Sequence, residues 1–439
     1  MSPAIRRTTP PNTVAERDTA AGSIGSANAP EHQGTAAGPS DRRTGGFSRR
    51  RLFGRGAAVA GAAGIGWGAA AFTGHRTEPA GRAPTDTEPF YGEHQAGIAT
   101  APQDHAAFVA LDLRPGARRA DVIGILKIWT DDAARLTQGA AALGDTEPEL
   151  AQRPSRLTVT VGLGPNAFTV AGAEQRRPTW LRPLPPFEID RLEPGWSDGD
   201  FLLQICADEA TAVSHAVRVL CKGVGSLVTV RWVQRGFRNA KPGASPRNLM
   251  GQVDGTVNIA PGTPDFERLV WDDGAAQPWL RGGTSLVLRR IAMKLDTWDE
   301  IDRDGRELTV GRTLDTGAPL TGKHEFDEPD FAAVDRFGIP VIPPSSHIAR
   351  AHHTSDGERF LRRGYNYDDA PTPGHISNSG LLFAAFQRDV DAQYLPVQRR
   401  LAEFDALNVW TTPVGSAVFV ILPGVRAPGG YLGQSLFES

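Results

Sequence analysis

Two groups of polar residues in the second half of the chain could move protons or bind a metal. The first is Gly251-Gln252-Val253-Asp254-Gly255, in which one carboxylate stands just ahead of a glycine. A carboxylate held in a loop can act as a general acid or base. Asp-Gly is also the usual sequence of a tight turn with positive φ. The motif alone leaves both interpretations open.

The second group is Ser346-His347-Ile348-Ala349-Arg350-Ala351-His352-His353, which holds three of the ten histidines and is followed by Arg362-Arg363-Gly364-Tyr365. A neutral imidazole is a common metal ligand, and arginine supplies a fixed positive charge. Zinc is disfavoured because there is no nearby cysteine and no His-Glu-x-x-His pattern. A structural role for each histidine stays open.

The amino-terminal region reads as a twin-arginine export signal. Phe47-Ser48-Arg49-Arg50-Arg51-Leu52-Phe53 precedes an uncharged Gly/Ala stretch, and Ala69-Ala70-Ala71 supplies the small residues that a signal peptidase accepts. The pattern predicts a leader and signal over 1–71, a linker over 72–89 and a mature protein that begins near Phe72 outside the cytoplasm. An uncleaved membrane anchor is the alternative.

Composition narrows the classes of partner. The net charge of −3 and the mixed surface charges give no basic field for nucleic acid, and no second apolar run is long enough to span a membrane. Small molecules are therefore the expected partners. The two cysteines, Cys206 and Cys221, fall in apolar patterns and are expected in the core. Neither lies in Cys-x-x-Cys-His, which excludes covalent attachment of a c-type haem.

Periodicity then indicates the elements that must position these groups. In the first half, strands and helices follow in the order β-α-β-β-α-β, which is the ferredoxin-like unit. The predicted strands are 106–113, 156–164, 201–206 and 227–234, and the predicted helices are 119–139 and 208–222.

A weaker copy of the unit follows, with strands at 285–295, 380–386 and 416–422 and helices from Thr297 and over 391–407. It is interrupted between about 305 and 378 by a long segment rich in Pro, Gly, His and Arg, where a functional site is expected. The predicted fold class is α+β, with tandem ferredoxin-like halves and antiparallel sheets. The halves are predicted at 90–258 and 259–439.

These pieces together resemble the dye-decolourising peroxidase family, in particular its exported iron-uptake branch, the deferrochelatases. The resemblance covers nearly the whole mature chain. It includes Phe90 to Ile98, Asp200 to Ala207, Gly251 to Gly255, Gly317 to Leu320, Ser346 to Ile348, Leu361 to Tyr365, Gly380 to Phe383, Phe386 to Asp389 and Pro423-Gly424. The family fold, in which two ferredoxin-like halves form a barrel-like assembly enclosing a haem pocket, agrees with the periodicity.

The resemblance implies a role for each candidate residue. His347 would be the axial ligand to the haem iron, and its other ring nitrogen would need an acceptor. Asp389 is a candidate for that acceptor, with a plain surface salt bridge as the alternative. Asp254 would take the proton from hydrogen peroxide and return it to the leaving oxygen. Arg362 would supply the distal positive charge. Arg363 would be structural or lie near a propionate, and Gly255 would border the cofactor.

The implied protein is an exported peroxidase with one non-covalent haem b per chain. Hydrogen peroxide would oxidise the haem to a ferryl intermediate, which would then oxidise dyes or other reductants. The twin-arginine translocase would be a partner during export, and a homo-oligomer is compatible with the resemblance. The alternative is a deferrochelatase-like haem-binding protein of iron uptake with incidental peroxidase activity. Surface aromatic residues would relay electrons; the candidates are Tyr365, Tyr367, Tyr394 and Trp410.

The chain departs from the pattern of this branch directly after His347. Ala349-Arg350-Ala351-His352-His353 replaces a run closer to Arg-Leu-Ala-Asn-Pro. The departure puts in doubt the contact to the haem propionates and whether Arg350 takes over a role expected one position earlier. His352 and His353 are expected in solvent rather than on a metal.

Overall fold

The computed structural model describes residues 86–239 and 244–438. The twin-arginine segment, the predicted cleavage position and most of the predicted linker lie outside the described residues. None of the helices in the described residues is long and apolar enough to cross a bilayer.

Nine strands in the described part of the chain form one antiparallel sheet that closes on itself. They are β1 (His105–Leu113), β2 (Thr158–Leu163), β3 (Phe201–Ala207), β4 (Val228–Phe237), β5 (Thr284–Met293), β6 (Leu361–Arg362), β7 (Tyr365–Asp368), β8 (Ser379–Gln387) and β9 (Thr411–Ile421). The order is β5-β9-β2-β3-β1-β4-β7-β8-β6, and a further β5–β8 pairing closes the sheet into a barrel. Closure leaves few unpaired edges.

The helices pack outside the barrel or in the connections between strands. Within the described ranges they are α1 (Arg119–Leu136), α2 (Pro148–Ala151), α3 (Pro165–Val170), α4 (Ala210–Gly223), α5 (Pro264–Val270), α6 (Leu295–Trp298), α7 (Arg303–Val310), α8 (His347–Ala351), α9 (Leu395–Phe404) and α10 (Gln434–Glu438). A single π-helical turn, Val390–Tyr394, leads into α9.

The first half confirms the ferredoxin-like prediction. Its strands occur in the spatial order β2-β3-β1-β4, and α1 and α4 connect them as the periodicity indicated. Every residue of β3 is buried, because one face contacts the barrel interior and the other contacts the helices. Leu203 belongs to the helix-facing core with Trp129, whereas Leu202 belongs to the interior core with Phe108 and Phe419. This two-sided burial explains why the strand reads as a nearly continuous apolar run.

The second half differs from its prediction in more than one place, since the predicted helix 391–407 is divided into a π-helical turn and α9. The strands β5, β8 and β9 occur near their predicted positions, but the segment 305–378 is not wholly irregular. It contains α8 and also β6 and β7, which pair with β8 and supply the missing strand of the second unit. These strands have two and four residues, too few for an alternating pattern to stand out. The short strand β6 carries Arg362.

One buried ion pair ties the barrel to the preceding loop. Arg289 of β5 donates to the Asp190 carboxylate, and both side chains are almost fully buried. A second guanidinium nitrogen of Arg289 donates to Ser416 Oγ at 3.2 Å. Removal of one partner would leave an uncompensated charge in the interior, which is strongly destabilising.

We therefore expect Asp190→Ala to lower the free energy of unfolding by about 3–5 kcal/mol. The matched control is Asp391→Ala, which breaks the exposed pair with Arg182 and should cost about 1 kcal/mol or less. Denaturant unfolding of both variants measures the difference. Equal losses in the two variants would contradict the assignment of Arg289 as a charge that depends on Asp190.

Candidate active site

Asp254 lies in a loop whose shape depends on two glycines. Gly251 and Gly255 have φ values of 85° and 113°, a region that residues with a Cβ rarely adopt. The N–H of Asp254 donates to the carbonyl of Pro246 at 2.8 Å, and Arg247 forms an isolated bridge with Val253. The hydrogen-bonded turn lies just before Asp254, where the N–H of Gly251 donates to the carbonyl of Asn248 at 3.0 Å. Asp254 and Gly255 themselves follow in extended loop structure, so the interpretation of Asp-Gly as a tight turn was wrong.

Arg362 meets Asp254 across this loop. Its Nη1 lies 3.4 Å from Asp254 Oδ1, and its Nη2 donates to the carbonyl of Val257 at 2.8 Å. Both side chains keep a little over a quarter of their surface accessible. The structure therefore joins a proton acceptor and a fixed positive charge at a place that a small molecule can reach.

His347 begins α8, directly after the N-cap residue Ser346. Its Nδ1 lies 2.7 Å from Asp405 Oδ2. An ionised carboxylate can only accept, so Nδ1 carries the hydrogen and Nε2 presents its lone pair. Among the described residues, Nε2 has no recorded hydrogen-bond partner. This is the tautomer that a metal-binding imidazole needs.

The surroundings of His347 are deep but open on one side. Burial is the largest influence on its pKa and acts to lower it, yet 34% of the side chain is accessible. Both observations hold for a ring that is surrounded by protein on most sides and accessible on one. The charge and hydrogen bond of Asp405 outweigh burial, and the net pKa of His347 is raised. Asp254 and Arg362 act on the same pKa in opposite directions, so the three predicted residues share one electrostatic neighbourhood.

Asp405, not Asp389, is the acceptor for His347, which corrects the sequence prediction. The Oδ1 atom of Asp389 accepts from the backbone N–H groups of Asp391 and Ala392, at 2.8 and 2.9 Å. Asp389 is therefore the cap of the turn that begins at Val390. Its Oδ1 atom accepts hydrogen bonds from the backbone rather than from His347.

Asp405 was missed because the predicted helix 391–407 ran through it. In the structure α9 ends at Phe404, and Asp405 leaves the helix with its Oδ1 accepting from the N–H of Leu407 at 2.9 Å. Its other oxygen is free to hold His347. An aspartate close to a helix end is the signal that could have indicated this.

Arg363 points away from the Asp254–Arg362 pair. Its Nη1 donates to the carbonyl of Thr100 at 2.6 Å, and its Nη2 donates to Gln103 Oε1. These contacts hold the Arg363 side chain within the fold, and its position near a haem propionate stays a prediction. Gly255 has a positive φ of 113°. Its assignment to cofactor binding stays a prediction.

The residues directly after His347 contact α9 or lie at the surface. Arg350 donates to the carbonyl of Arg400 at 3.1 Å and to Glu403 Oε2 at 2.9 Å. His352 is exposed and its ring lies 4.7 Å from that of His353. Within the described ranges, no three His, Cys, Asp or Glu side chains group closely enough to hold a metal ion. His352 thus faces solvent as expected, whereas His353 is partly buried.

The four aromatic candidates for electron relay differ in exposure. Tyr365, Tyr367 and Tyr394 are buried, and burial raises the pKa of Tyr367 and of Tyr394 to about 12. Trp410 is partly exposed and packs edge-on against the buried Trp298, with ring centroids 5.3 Å apart. Of the four, Trp410 is the one whose ring reaches the surface.

The Asp405 contact leads to a pH-dependent prediction. Below its raised pKa, the His347 ring carries a second proton on Nε2, which would compete with a metal ion for that atom. In the protein without a bound metal, the His347–Asp405 interaction contributes stability that is complete below the ordinary histidine pKa of about 6.5. That contribution is lost as the pH rises through the raised value.

We expect Asp405→Asn to weaken haem binding about 10- to 100-fold at alkaline pH, the usual cost of losing a carboxylate behind a metal-bound histidine. The difference in haem affinity between the parent and the variant should become smaller as the pH falls. The reason is that His347 is protonated at a lower pH in the variant than in the parent. Haem titrations at about pH 8.5 and 5.5 measure both effects. Asp389→Asn is the matched control and should bind like the parent, since asparagine also caps helices. Equal weakening by both variants would contradict the assignment.

Comparison with known proteins places the chain among related sequences. Residues 95–238 match the family model described as Dyp-type peroxidase, N-terminal, and residues 245–426 match Dyp-type peroxidase, C-terminal. The chain is 38% identical over 435 residues to the dye-decolorizing peroxidase of Thermobifida fusca (strain YX), which spans 91% of this chain and 99% of that protein. It is 35% identical over 380 residues to the deferrochelatase of Shigella flexneri serotype 5b (strain 8401), spanning 80% and 88% of the two chains.

A solved structure is also similar. The crystal structure of a DyP-type peroxidase from Cellulomonas bogoriensis is 56% identical in sequence and superposes with a TM-score of 0.79. The match covers 81% of this chain and 100% of that chain. The antiparallel barrel described above is therefore the fold of a solved relative.

Proposed function

Because this chain belongs to the Dyp-type peroxidase family, whose members are haem-dependent peroxidases, we propose that His347 holds the haem while Asp254 and Arg362 activate hydrogen peroxide. The observation that carries the proposal is the His347 side chain. Its Nδ1 is occupied by Asp405 at 2.7 Å, about a third of its side chain is accessible, and none of the described residues hydrogen-bonds to its Nε2.

The donor set fits a haem iron. A neutral imidazole whose far nitrogen is held by a carboxylate is the arrangement that raises ligand basicity and fixes ring orientation. The proposed cofactor is one haem b per chain, held without covalent bonds, because Cys206 is buried in the core and neither cysteine lies in a haem-attachment motif. Bound haem supplies the iron that accepts peroxide and the electrons that reduce it to water.

Asp254 is assigned the proton transfer. Hydrogen peroxide must lose a proton from one oxygen and gain one on the other before the O–O bond can break to release water. A single carboxylate that reaches both oxygens can perform both transfers. Asp254 fits because its backbone is fixed by the loop while its side chain stays accessible.

We assign to Arg362 the electrostatic stabilisation of the negative charge that develops on peroxide. A fixed positive charge stabilises the hydroperoxide anion while its proton is on Asp254, and it polarises the O–O bond as negative charge builds on the leaving oxygen. The guanidinium is held in place by the carbonyl of Val257, so little reorganisation is needed during the reaction. The two electrons are then restored by dyes or other reductants, one electron at a time.

A relative named deferrochelatase suggests a second candidate, a haem-handling protein whose peroxidase turnover is incidental. Haem binding needs only a pocket and His347, whereas the Asp254–Arg362 pair adds the proton acceptor and the fixed positive charge that peroxide activation uses. The two functions differ in what becomes of the haem. Turnover with peroxide and a dye should leave the haem spectrum intact after many cycles. Release of iron-free porphyrin without dye oxidation would favour haem handling and sink the peroxidase proposal.

We also propose export by the twin-arginine route, on the strength of the leader sequence. Amino-terminal sequencing of the exported protein should begin near Phe72. Replacement of Arg49 and Arg50 by lysine should retain the full-length chain inside the cell. Normal export of that double variant would remove the twin-arginine assignment.

A further inference from the structure

We propose that Asn248 and Asn258 are positioning residues that hold the carboxylate of Asp254 and the backbone of Arg362 in a fixed relation. The inference rests on the proposed function, because it takes Asp254 and Arg362 as the groups that act on peroxide. It goes beyond that function by assigning the two side chains that set their geometry.

Asn248 has an amide whose orientation is determined by its partners. Its Oδ1 accepts from the backbone N–H groups of Met250 and Gln252, at 3.1 and 3.2 Å. The oxygen must face these donors, so the Nδ2 group must face the other way. There it lies 3.4 Å from Asp254 Oδ2. One side chain thus shapes the turn and presents a donor to the carboxylate.

Asn258 forms a two-point contact with the backbone of Arg362. Its Oδ1 accepts from the Arg362 N–H at 2.9 Å, and its Nδ2 donates to the Arg362 carbonyl at 2.8 Å. The strand β6 stands at the end of the sheet order, and the ladder bond to β8 is made by the N–H of Arg363 to the carbonyl of Ala384. Asn258 therefore pairs the outward-facing polar groups of an edge strand, as a neighbouring strand would.

Both asparagines belong to the loop that carries Asp254. The loop is itself fixed by Arg247, which donates to the carbonyls of Gly251, Leu314 and Asp315, at 2.8, 2.5 and 2.7 Å. A shift of the loop would therefore move the carboxylate and the guanidinium together. The separation of the two groups is set by one short stretch of chain, which is the arrangement that a preorganised site needs.

The test is the isosteric variant Asn248→Asp. It keeps an oxygen for the two backbone donors, so the turn is preserved, but it replaces the donor beside Asp254 with a negative charge. Besides Arg362, the charged and titratable groups that act on Asp254 are Arg238, just after β4, and His347 of α8. All three are unchanged in the variant, so a carboxylate that loses a donor and gains a like charge takes up its proton at higher pH. We expect the acid limb of the pH profile for the reaction with peroxide to move upward by about 1 to 2 pH units. The same shift is expected in the pH dependence of cyanide binding to the resting haem protein, a measurement without turnover.

The matched control is Asn378→Asp, which makes the same charge change at an amide that donates to the carbonyl of Ala370. It should leave both pH profiles unchanged. Asn258→Ala is expected to lower the rate with peroxide about 10- to 100-fold at every pH without moving the limb, because it loosens the position of Arg362 rather than the protonation of Asp254.

The outcomes separate this inference from the function on which it rests. Suppose that Asp254→Asn reacts slowly with peroxide and its pH profile has no acid limb, but that Asn248→Asp keeps the acid limb at the parent pH. That result would overturn the role of Asn248 alone. A fast Asp254→Asn variant with a normal pH profile would overturn the proposed function itself. A parent-like rate in Asn258→Ala would remove that residue from the assignment.

Discussion

Asp254→Asn should slow the reaction of the haem-loaded protein with hydrogen peroxide by about 10²- to 10⁴-fold, the range that a general acid–base group contributes. Asparagine preserves the size of the side chain and the loop around it, but it cannot take a proton from peroxide. Haem content and the resting absorption spectrum should match those of the parent. Stopped-flow mixing with a pseudo-first-order excess of peroxide gives the rate constant directly.

The matched control is Asp304→Asn, at an exposed position in the first turn of α7. It should react like the parent, which would exclude a general effect of removing a carboxylate. A parent-like rate for Asp254→Asn would remove this residue from the mechanism.

The neighbouring arginines extend the same argument. Arg362→Leu should also slow the reaction, since it removes the charge 3.4 Å from Asp254. Arg363→Leu should instead act on folding, because it leaves the Thr100 carbonyl and the Gln103 side chain without their donor. Slow chemistry in the Arg363 variant with a normal rate in the Arg362 variant would exchange their roles.

His347→Ala should abolish haem retention or weaken it severely. Removal of the imidazole takes away the axial ligand and leaves the buried Asp405 carboxylate without its partner. The measurement is the ratio of Soret to protein absorbance after purification with added haem. His352→Ala is the control, because that ring is exposed and lies outside the proposed ligand set. A normal haem content and Soret band in His347→Ala would contradict the ligand assignment.

Much of the fold could be predicted from periodicity. The strand β3 and the helices α1 and α4 are long enough for their apolar patterns to be read, and their ends agree with the structure to within a few residues. The strands β6 and β7 could not be found in this way. They are short and polar, and they exist because β8 offers them a partner.

The site residues also differ in whether they could be predicted from local sequence or depend on tertiary packing. Asp254, His347 and Arg362 could be singled out because their residue types stand in compact motifs, and the structure brings them into one neighbourhood. The partner of His347 could not, because Asp405 meets the ring only through the packing of α8 on α9. Asp389 was the wrong candidate for a local reason. It directly precedes a helical turn, where a carboxylate is drawn to backbone N–H groups.

The contacts of Asn248 and Asn258 could not be predicted from the sequence pattern either. Asn258 lies four residues beyond Asp254, but its partner is the backbone of Arg362, 104 residues further along the chain. That contact depends on the register of β6 against β8. Side-chain contacts to a distant backbone follow from tertiary pairing and leave no periodic trace in the sequence.

The most direct test of the account is the absorption spectrum of the haem-loaded protein before and after mixing with one equivalent of hydrogen peroxide. The account predicts a ferric Soret band that changes rapidly on mixing and returns when a dye is added, as the dye loses its colour. A Soret band that persists unchanged after mixing, with haem fully bound, would contradict the claim that Asp254 and Arg362 activate peroxide in this protein.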